Sequence, residues 1–152
     1  MVAAYLWCVK KETAIDQAVQ CLRSGGTALL PTDSLWSICC DPKNAEALKK
    51  ITQLKTALHK NDFTLLVPNE RLMYQCVREV PDIAWDMIEI TSSPLSLILE
   101  SNAYLPKEIH CEDKKVIVRF IKEGSMHHIL HQMNRPLLSM PALTPEGQER
   151  DQ

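Results

Sequence analysis

The apolar run Thr27-Ala-Leu-Leu30 breaks at Pro31 into Thr32-Asp33-Ser34. Two hydroxyls and a carboxylate therefore stand where a strand ends, and loops at strand ends commonly hold ligands in α/β proteins. Such a set can grip an ammonium group or a nucleotide hydroxyl. It also suits an ordinary turn whose side chains cap their own backbone. Lys55 follows a helical apolar stripe. It can act as a point charge for a phosphate or carboxylate, or stand as one surface lysine among several. Arg119 interrupts the apolar strand Lys115-Val-Ile-Val-Arg-Phe-Ile121. A charge there pairs, lies on a wet face, or points into a cavity that holds an anion. His127 or His128 shares a helix face with His131, a spacing that can chelate a metal. No Glu stands at the metalloprotease position and no fourth ligand is near in sequence, so exposed polar positions suit these histidines equally and no metal is assigned.

Other chemistry is excluded by what the chain lacks. Its four glycines, Gly25, Gly26, Gly124 and Gly147, form neither a Walker loop nor a Gly-x-Gly-x-x-Gly turn, so any nucleotide is held another way. There is no Gly-x-Ser-x-Gly elbow. The six cysteines make no Cys-x-x-Cys pair, which removes the zinc-ribbon and thioredoxin signatures. Reduced, buried thiols are expected, with Cys39 and Cys40 on opposite faces of a strand.

The elements that must position these groups are readable from periodicity. Thr13, with Asp16 three residues on, predicts the start of a helix bearing Ile15, Ala18, Val19 and Leu22, stopped by Gly25-Gly26. Strands are predicted at 27–30 and 35–39. Asn44 predicts a cap for a helix with Ala45, Leu48, Ile51 and Leu54 on one face and a cationic last turn. A strand follows at 63–67. Asn69 caps a short helix, and Pro81 opens another through Ile83, Ala84, Met87 and Ile88. Strands at 95–99 and 115–121, a helix capped by Ser125, and a last strand at 136–140 complete the pattern. Interleaved helices and strands on short connections predict an α/β fold, one domain with a twisted mixed sheet and flanking helices.

At 152 residues the chain is sized for one domain with its own core. A composition of 45% hydrophobic and 24% charged residues excludes disorder, collagen and a disulfide miniprotein. No apolar run approaches a membrane span, and the basic residues follow rather than precede the apolar start, so a cytoplasmic protein without membrane partners is expected. Charge is uneven. Residues 41–60 carry five lysines against two acids, and residues 104–122 carry five basic groups against three acids. Two basic segments suit an anion-binding face, or simply solvated helix surface.

In order along the chain, Pro31-Thr-Asp-Ser-Leu-Trp-Ser-Ile-Cys-Cys40, Leu54-Lys-Thr-Ala57, Asn61-Asp-Phe-Thr-Leu65, Ser93-Pro-Leu-Ser-Leu-Ile-Leu99, Val118-Arg-Phe-Ile121 and Pro136-Leu-Leu-Ser-Met-Pro-Ala-Leu143 are similar to the motifs of one family. The chain resembles the YrdC-like family, and especially its YciO branch, from about residue 12 to 147. The resemblance implies a YrdC-like fold around a large basic cavity, spanning 1–147 without the family's final strands, followed by a polar tail at 148–152. It implies a relation to tRNA threonylcarbamoyladenosine biosynthesis. Active members are nucleotidyltransferases that make threonylcarbamoyl-AMP from L-threonine, bicarbonate and ATP, with Mg²⁺; several bind tRNA or double-stranded RNA. Two anions must meet in that reaction, so cations must screen them and hydroxyls must fix threonine.

Carried onto this chain, the resemblance places Thr32, Ser34, Trp36 and Arg119 on the substrate. It makes Lys55 the catalytic, phosphate-contacting lysine and adds Asn61, Ser96 and Ser139 to the nucleotide site. Thr32, Ser34, Lys55 and Arg119 are expected to converge. Departures are concrete: Ala57 stands for a second cation, Pro141 and Leu143 for a serine and an asparagine, Ser37 for a glycine, and Asp62 adds a negative charge near the mouth. A nucleotide- and RNA-binding relative with weakened catalysis is therefore expected, its partners ATP or AMP, L-threonine and RNA, without DNA and without a tightly bound cofactor. An active synthase and a vestigial domain with an empty cavity are the alternatives.

Overall fold

The computed structural model describes residues 2–3, 11–57 and 62–142. Helix α1, Lys11–Arg23, ends where the sequence turns to glycine. The Gly26 N–H bonds the Cys21 carbonyl at 2.9 Å and the Gly25 N–H bonds the Leu22 carbonyl at 3.2 Å, the double closure of a left-handed cap. Gly25 has φ +83°, and a Cβ on it would stand 2.7 Å from Asn44 Nδ2, so both conformation and space demand glycine. Thr13 does not cap this helix. The chain before it is already helical, and an N-cap needs extended backbone.

Strands β1 (Val2–Ala3), β2 (Thr27–Pro31) and β3 (Trp36–Cys40) lead to α2 (Ala45–Ala57). Asn44 Oδ1 accepts the N–H groups of Glu46 and Ala47, both at 3.1 Å. That cap sets the phase of α2 so that Ala47, Leu48 and Ile51 face inward, while Ala45 is exposed, contrary to the stripe expected. Next come β4 (Thr64–Val67), α3 (Glu70–Cys76) and α4 (Asp82–Ile90). Asn69 Oδ1 caps α3 through the Leu72 N–H at 2.9 Å. On α4 only Ala84 and Ile88 of the expected four are buried; Ile83 and Met87 point outward. The described elements continue with β5 (Ser96–Glu100), a short 3₁₀ turn at Lys107–Ile109, β6 (Lys115–Phe120), α5 (Ser125–Met133) and β7 (Leu137–Pro141). Ser125 is the first helical residue of α5 rather than its cap; Gly124, at φ +91°, holds that place.

The strands form one open mixed sheet in the order β1-β2-β3-β7-β4-β6-β5, with the two-residue β1 as an extension. β7 runs antiparallel to both neighbours, while β4 and β6 run parallel. The register aligns Ile98, Ile117, Thr64, Ser139 and Cys39 in one row, and Ser96, Arg119, Leu66 and Leu137 in the next. Both rows lie on the face that α1 and α5 cover through Ile15, Leu22, Met126 and Leu130. The opposite face packs on α2, α3 and α4 through Ile51, Met73 and Ile88. Cys39 joins the first core and Cys40 the second, as strand alternation requires. Each fully buried leucine in these layers contributes about 1.5–3 kcal/mol of transfer free energy.

Two features bear on the site. Helices α1 and α5 do not extend over β5, so Ile98 is 55% exposed and the row beside it stays open at that edge. At the β3 end, the buried Asp41 accepts Arg135 Nη1 at 2.8 Å and the Lys43 N–H at 3.0 Å, tying the α2 approach to the start of β7. Among the described residues no helix is long and apolar enough to cross a membrane.

Candidate functional site

The break at Pro31 produces a tight hydroxyl-organised turn. Thr32 Oγ1 donates to the Leu35 carbonyl at 2.7 Å and accepts the N–H groups of Ser34 and Leu35 at 3.3 and 3.2 Å. Its hydroxyl is thus spent on shaping the turn. The turn's reward is the placement of its neighbours. Arg119 Nη1 donates to Asp33 Oδ1 at 3.1 Å and to Ser34 Oγ at 2.6 Å. From the other side, Ser96 Oγ accepts Arg119 Nε at 3.2 Å and Nη2 at 2.9 Å. Ser96 and Arg119 are cross-strand partners on β5 and β6, so their meeting is fixed by register. The guanidinium side chain is 18% exposed: held on three sides, yet still reachable.

Thr32 and Asp33 of this cluster line a cleft of about 590 Å³, whose lining does not include Ser34, Ser96 or Arg119. The cleft lies beyond the carboxyl ends of β2 and β6, between the turn at 31–33, the Thr91-Ser-Ser-Pro94 loop and the 122–126 segment that opens α5. Its charged lining is mixed: Lys122 beside Asp33 and Glu123. Lys122 Nζ donates to the carbonyls of Thr91 at 2.8 Å and Glu89 at 3.4 Å, which staples the far wall to the end of β6. Ser92, Ser93 and Lys122 went unassigned in the sequence reading; the run of three hydroxyl residues just before a strand was the available signal.

The remaining predicted residues sit elsewhere. Lys55 Nζ lies 3.8 Å from Asp62 Oδ1 and 4.7 Å from the centre of the Phe63 ring. Asp62 precedes β4, whereas Arg119 is level with Leu66, four residues further along that strand. At ~3.3 Å per residue those two backbone positions are about 13 Å apart in the strand direction. Thr32, Ser34, Ser96 and Arg119 are therefore brought together, and Lys55 is not part of that group. Ser139 is buried and donates to the Thr64 carbonyl at 3.0 Å. Trp36 is half-buried and alternates with Ser37, which sends it to the side of Ile38 rather than Ser139. Asn61 and Leu143 lie outside the described residues. Asp33, whose carboxylate stands in the turn but is absent from the family-derived set, is the ion-pair partner of Arg119.

Thiol chemistry is suppressed near the sheet centre. Burial pushes the Cys40 and Cys76 thiols up to about 12, and Cys39 higher still. Burial, with the Asp62 charge second, also raises Cys111. Among the described residues no three of His, Cys, Asp and Glu cluster to hold a metal. Of the two carboxylates in the cleft lining, Asp33 is already bonded to Arg119, so Glu123 is the one that a Mg²⁺ arriving with a nucleotide would meet beside phosphate and water oxygens.

Comparison with known proteins places this geometry. Residues 20–150 match the Sua5_yciO_yrdC family model, described as telomere recombination. A threonylcarbamoyl-AMP synthase of Acinetobacter baumannii is 24% identical over 144 residues, covering 90% of this chain and 76% of the relative. Another, of Pseudoalteromonas translucida, is 22% identical over 134 residues, covering 86% and 72%. Among solved structures, P. abyssi Sua5 (H234A/Y235A) superposes with TM-score 0.80 at 18% identity, over 95% of this chain and 42% of that one. E. coli YciO superposes with TM-score 0.71 at 22% identity, over 86% and 63%. A third, P. abyssi Sua5 complexed with L-threonine, gives 0.74 at 19% identity over 93% and 40%. The chain thus spans less than two thirds of each of these solved chains. With its motifs in order, its sheet matched and most of its length inside the family model, the chain belongs to the Sua5/YciO/YrdC family.

Proposed function

We propose that this protein binds an adenylate-type nucleotide and RNA as a relative of the threonylcarbamoyl-AMP synthases, with catalysis weakened. The observation that carries this reading is the state of its cations. Arg119 is bonded to Asp33, and Lys55 stands beside Asp62, so each positive group already has a carboxylate. An incoming phosphate must displace those partners, which lowers the charge available to screen two anions in one transition state. Ala57 and Pro141 remove further polar contacts. Exposed Lys43, Lys49 and Lys50 in and just before α2, with exposed Lys107 and Lys114 between β5 and β6, supply the phosphate contacts for tRNA or double-stranded RNA, while Lys115 is already paired with Glu112.

Calorimetry with AMP, ATP and L-threonine, on the wild type and on Arg119→Ala, tests the nucleotide arm. Binding of AMP or ATP lost in the variant is expected; equal affinity in both would remove Arg119 from the site. Labelled tRNA should shift at low salt and release steeply as salt rises. No shift at low salt would end the RNA arm. A second reading, an active synthase, is favoured by the names of the curated relatives. It requires pyrophosphate release dependent on both L-threonine and bicarbonate.

A further inference from the structure

We propose that His127 and His131 chelate one borderline divalent cation, of the Ni²⁺, Cu²⁺ or Zn²⁺ class, on the outer surface of α5. The two side chains are four residues apart on a helix, hence stacked on one face one turn apart. Their ring centroids are 5.9 Å apart and the rings stand at 88°. An ion held ~2.1 Å from one nitrogen of each ring would draw the centroids to about 5 Å. A rotation of one exposed side chain covers the difference.

An independent observation concerns the protons. His127 Nδ1 lies 2.9 Å from the Ile121 carbonyl oxygen. A carbonyl only accepts, so Nδ1 carries the hydrogen and the Nε2 lone pair is left free. That is the arrangement metal-bound histidines adopt, with the second ring nitrogen donating to a backbone carbonyl that fixes tautomer and orientation. His131 is exposed and able to swing towards it. His128, whose ring centroid is 6.3 Å from that of His127, points from the next position round the helix and is not needed. Among the described residues no third His, Cys, Asp or Glu completes a group of three, so water fills the other coordination positions. A two-imidazole set with open water sites selects ions high in the Irving–Williams order and excludes Mg²⁺ and Ca²⁺, which want oxygen. The argument uses only α5 and the Ile121 carbonyl and does not depend on the nucleotide reading.

The test is a Ni²⁺ titration of the whole protein, followed by calorimetry and by paramagnetic broadening of amide resonances. About one equivalent should bind, with broadening centred on residues 127–131 and a raised melting temperature. His131→Ala should weaken binding at least about ten-fold and abolish the thermal shift, whereas His128→Ala should leave both intact. Because His131 is exposed, its truncation does not threaten folding. Broadening centred on Cys21, Cys111 or the amino terminus would overturn the assignment. So would Ni²⁺ affinity unchanged in His131→Ala, or displacement of Ni²⁺ by a modest excess of Mg²⁺.

Discussion

Arg119 and Asp33, 86 positions apart in sequence, meet at 3.1 Å with both side chains mostly enclosed. The contact joins the β2–β3 turn to the β6 strand end, and it sets the charge of the cleft mouth. Asp33→Asn keeps the shape and removes the competing charge. It should tighten AMP binding by roughly five-fold, the equivalent of about 1 kcal/mol for a partly exposed pair. Calorimetry on the two proteins measures this, and weaker binding in the variant would contradict the account.

Lys55 has the same relationship with Asp62, but more exposed, and Phe63 sits beneath its ammonium. Asp62→Asn is therefore expected to change the denaturation midpoint little, by less than about 1 kcal/mol. Phe63→Ala, by contrast, removes a ring that is 1% exposed in the core and should cost about 3–5 kcal/mol. Urea titrations of both variants separate a surface role from a packing role for the residues around Lys55.

Asp41 is the buried member of a pair whose other member, Arg135, is half exposed. Asp41→Ala strips two hydrogen bonds from the junction of β3, α2 and β7 and should cost about 1–3 kcal/mol. Arg135→Ala should also cost about 1–3 kcal/mol, more than truncation of an unpaired surface arginine, because it leaves a buried carboxylate with only one backbone donor. Equal midpoints for Arg135→Ala and wild type would sink this reading.

The buried thiols give a pH signature. Cys40 and Cys76 rise from the ordinary 9.0 to about 12 in the folded chain, chiefly through burial. Between those values the unfolded chain releases protons that the folded chain keeps. Their contribution is complete below pH 9 and falls away as pH climbs towards 12. The melting temperature should decline over that window, and less so in Cys40→Ala and Cys76→Ala. At pH 8, alkylation followed by mass spectrometry should leave Cys39, Cys40 and Cys76 unmodified until the chain is unfolded.

Gly25→Ala should destabilise by about 1–2 kcal/mol, because a side chain is forced into positive φ. The added Cβ also meets Asn44, so the helix cap at Asn44 should loosen with it. Hydrogen exchange at the Glu46 and Ala47 amides reports that second effect, which a purely local backbone cost would not produce.

Much of this fold was legible where physics is local. Asn44 and Asn69 declared their caps, Gly25-Gly26 declared a helix end, and Cys39-Cys40 declared a strand buried on both sides. Errors arose where tertiary packing chose between equivalent local options. Ala45 and Ala47 serve a helix equally until the sheet selects one, and Ile83 and Met87 look like core residues until α4 is seen to bury only Ala84 and Ile88. The site followed the same division. An arginine inside an apolar strand announced itself, but its partners Asp33 and Ser96 come from two other strand ends, and only the register brings them together. Lys55 carried the same charge and its own motif likeness, yet it stands beside Asp62, ahead of β4 and four positions from the row of Arg119.

The strand order also governs how this chain can be made. Among the described residues, β2 and β3 on one side, and β4, β6 and β5 on the other, are joined in the sheet only through β7, which follows all of them in sequence. Until Leu137–Pro141 emerges, the two halves have no shared hydrogen-bond ladder, and the inner edges of β3 and β4 face each other unfilled. Closure is thus a late event of long sequence separation, and a nascent chain stalled before it presents two sticky strand edges to any chaperone within reach.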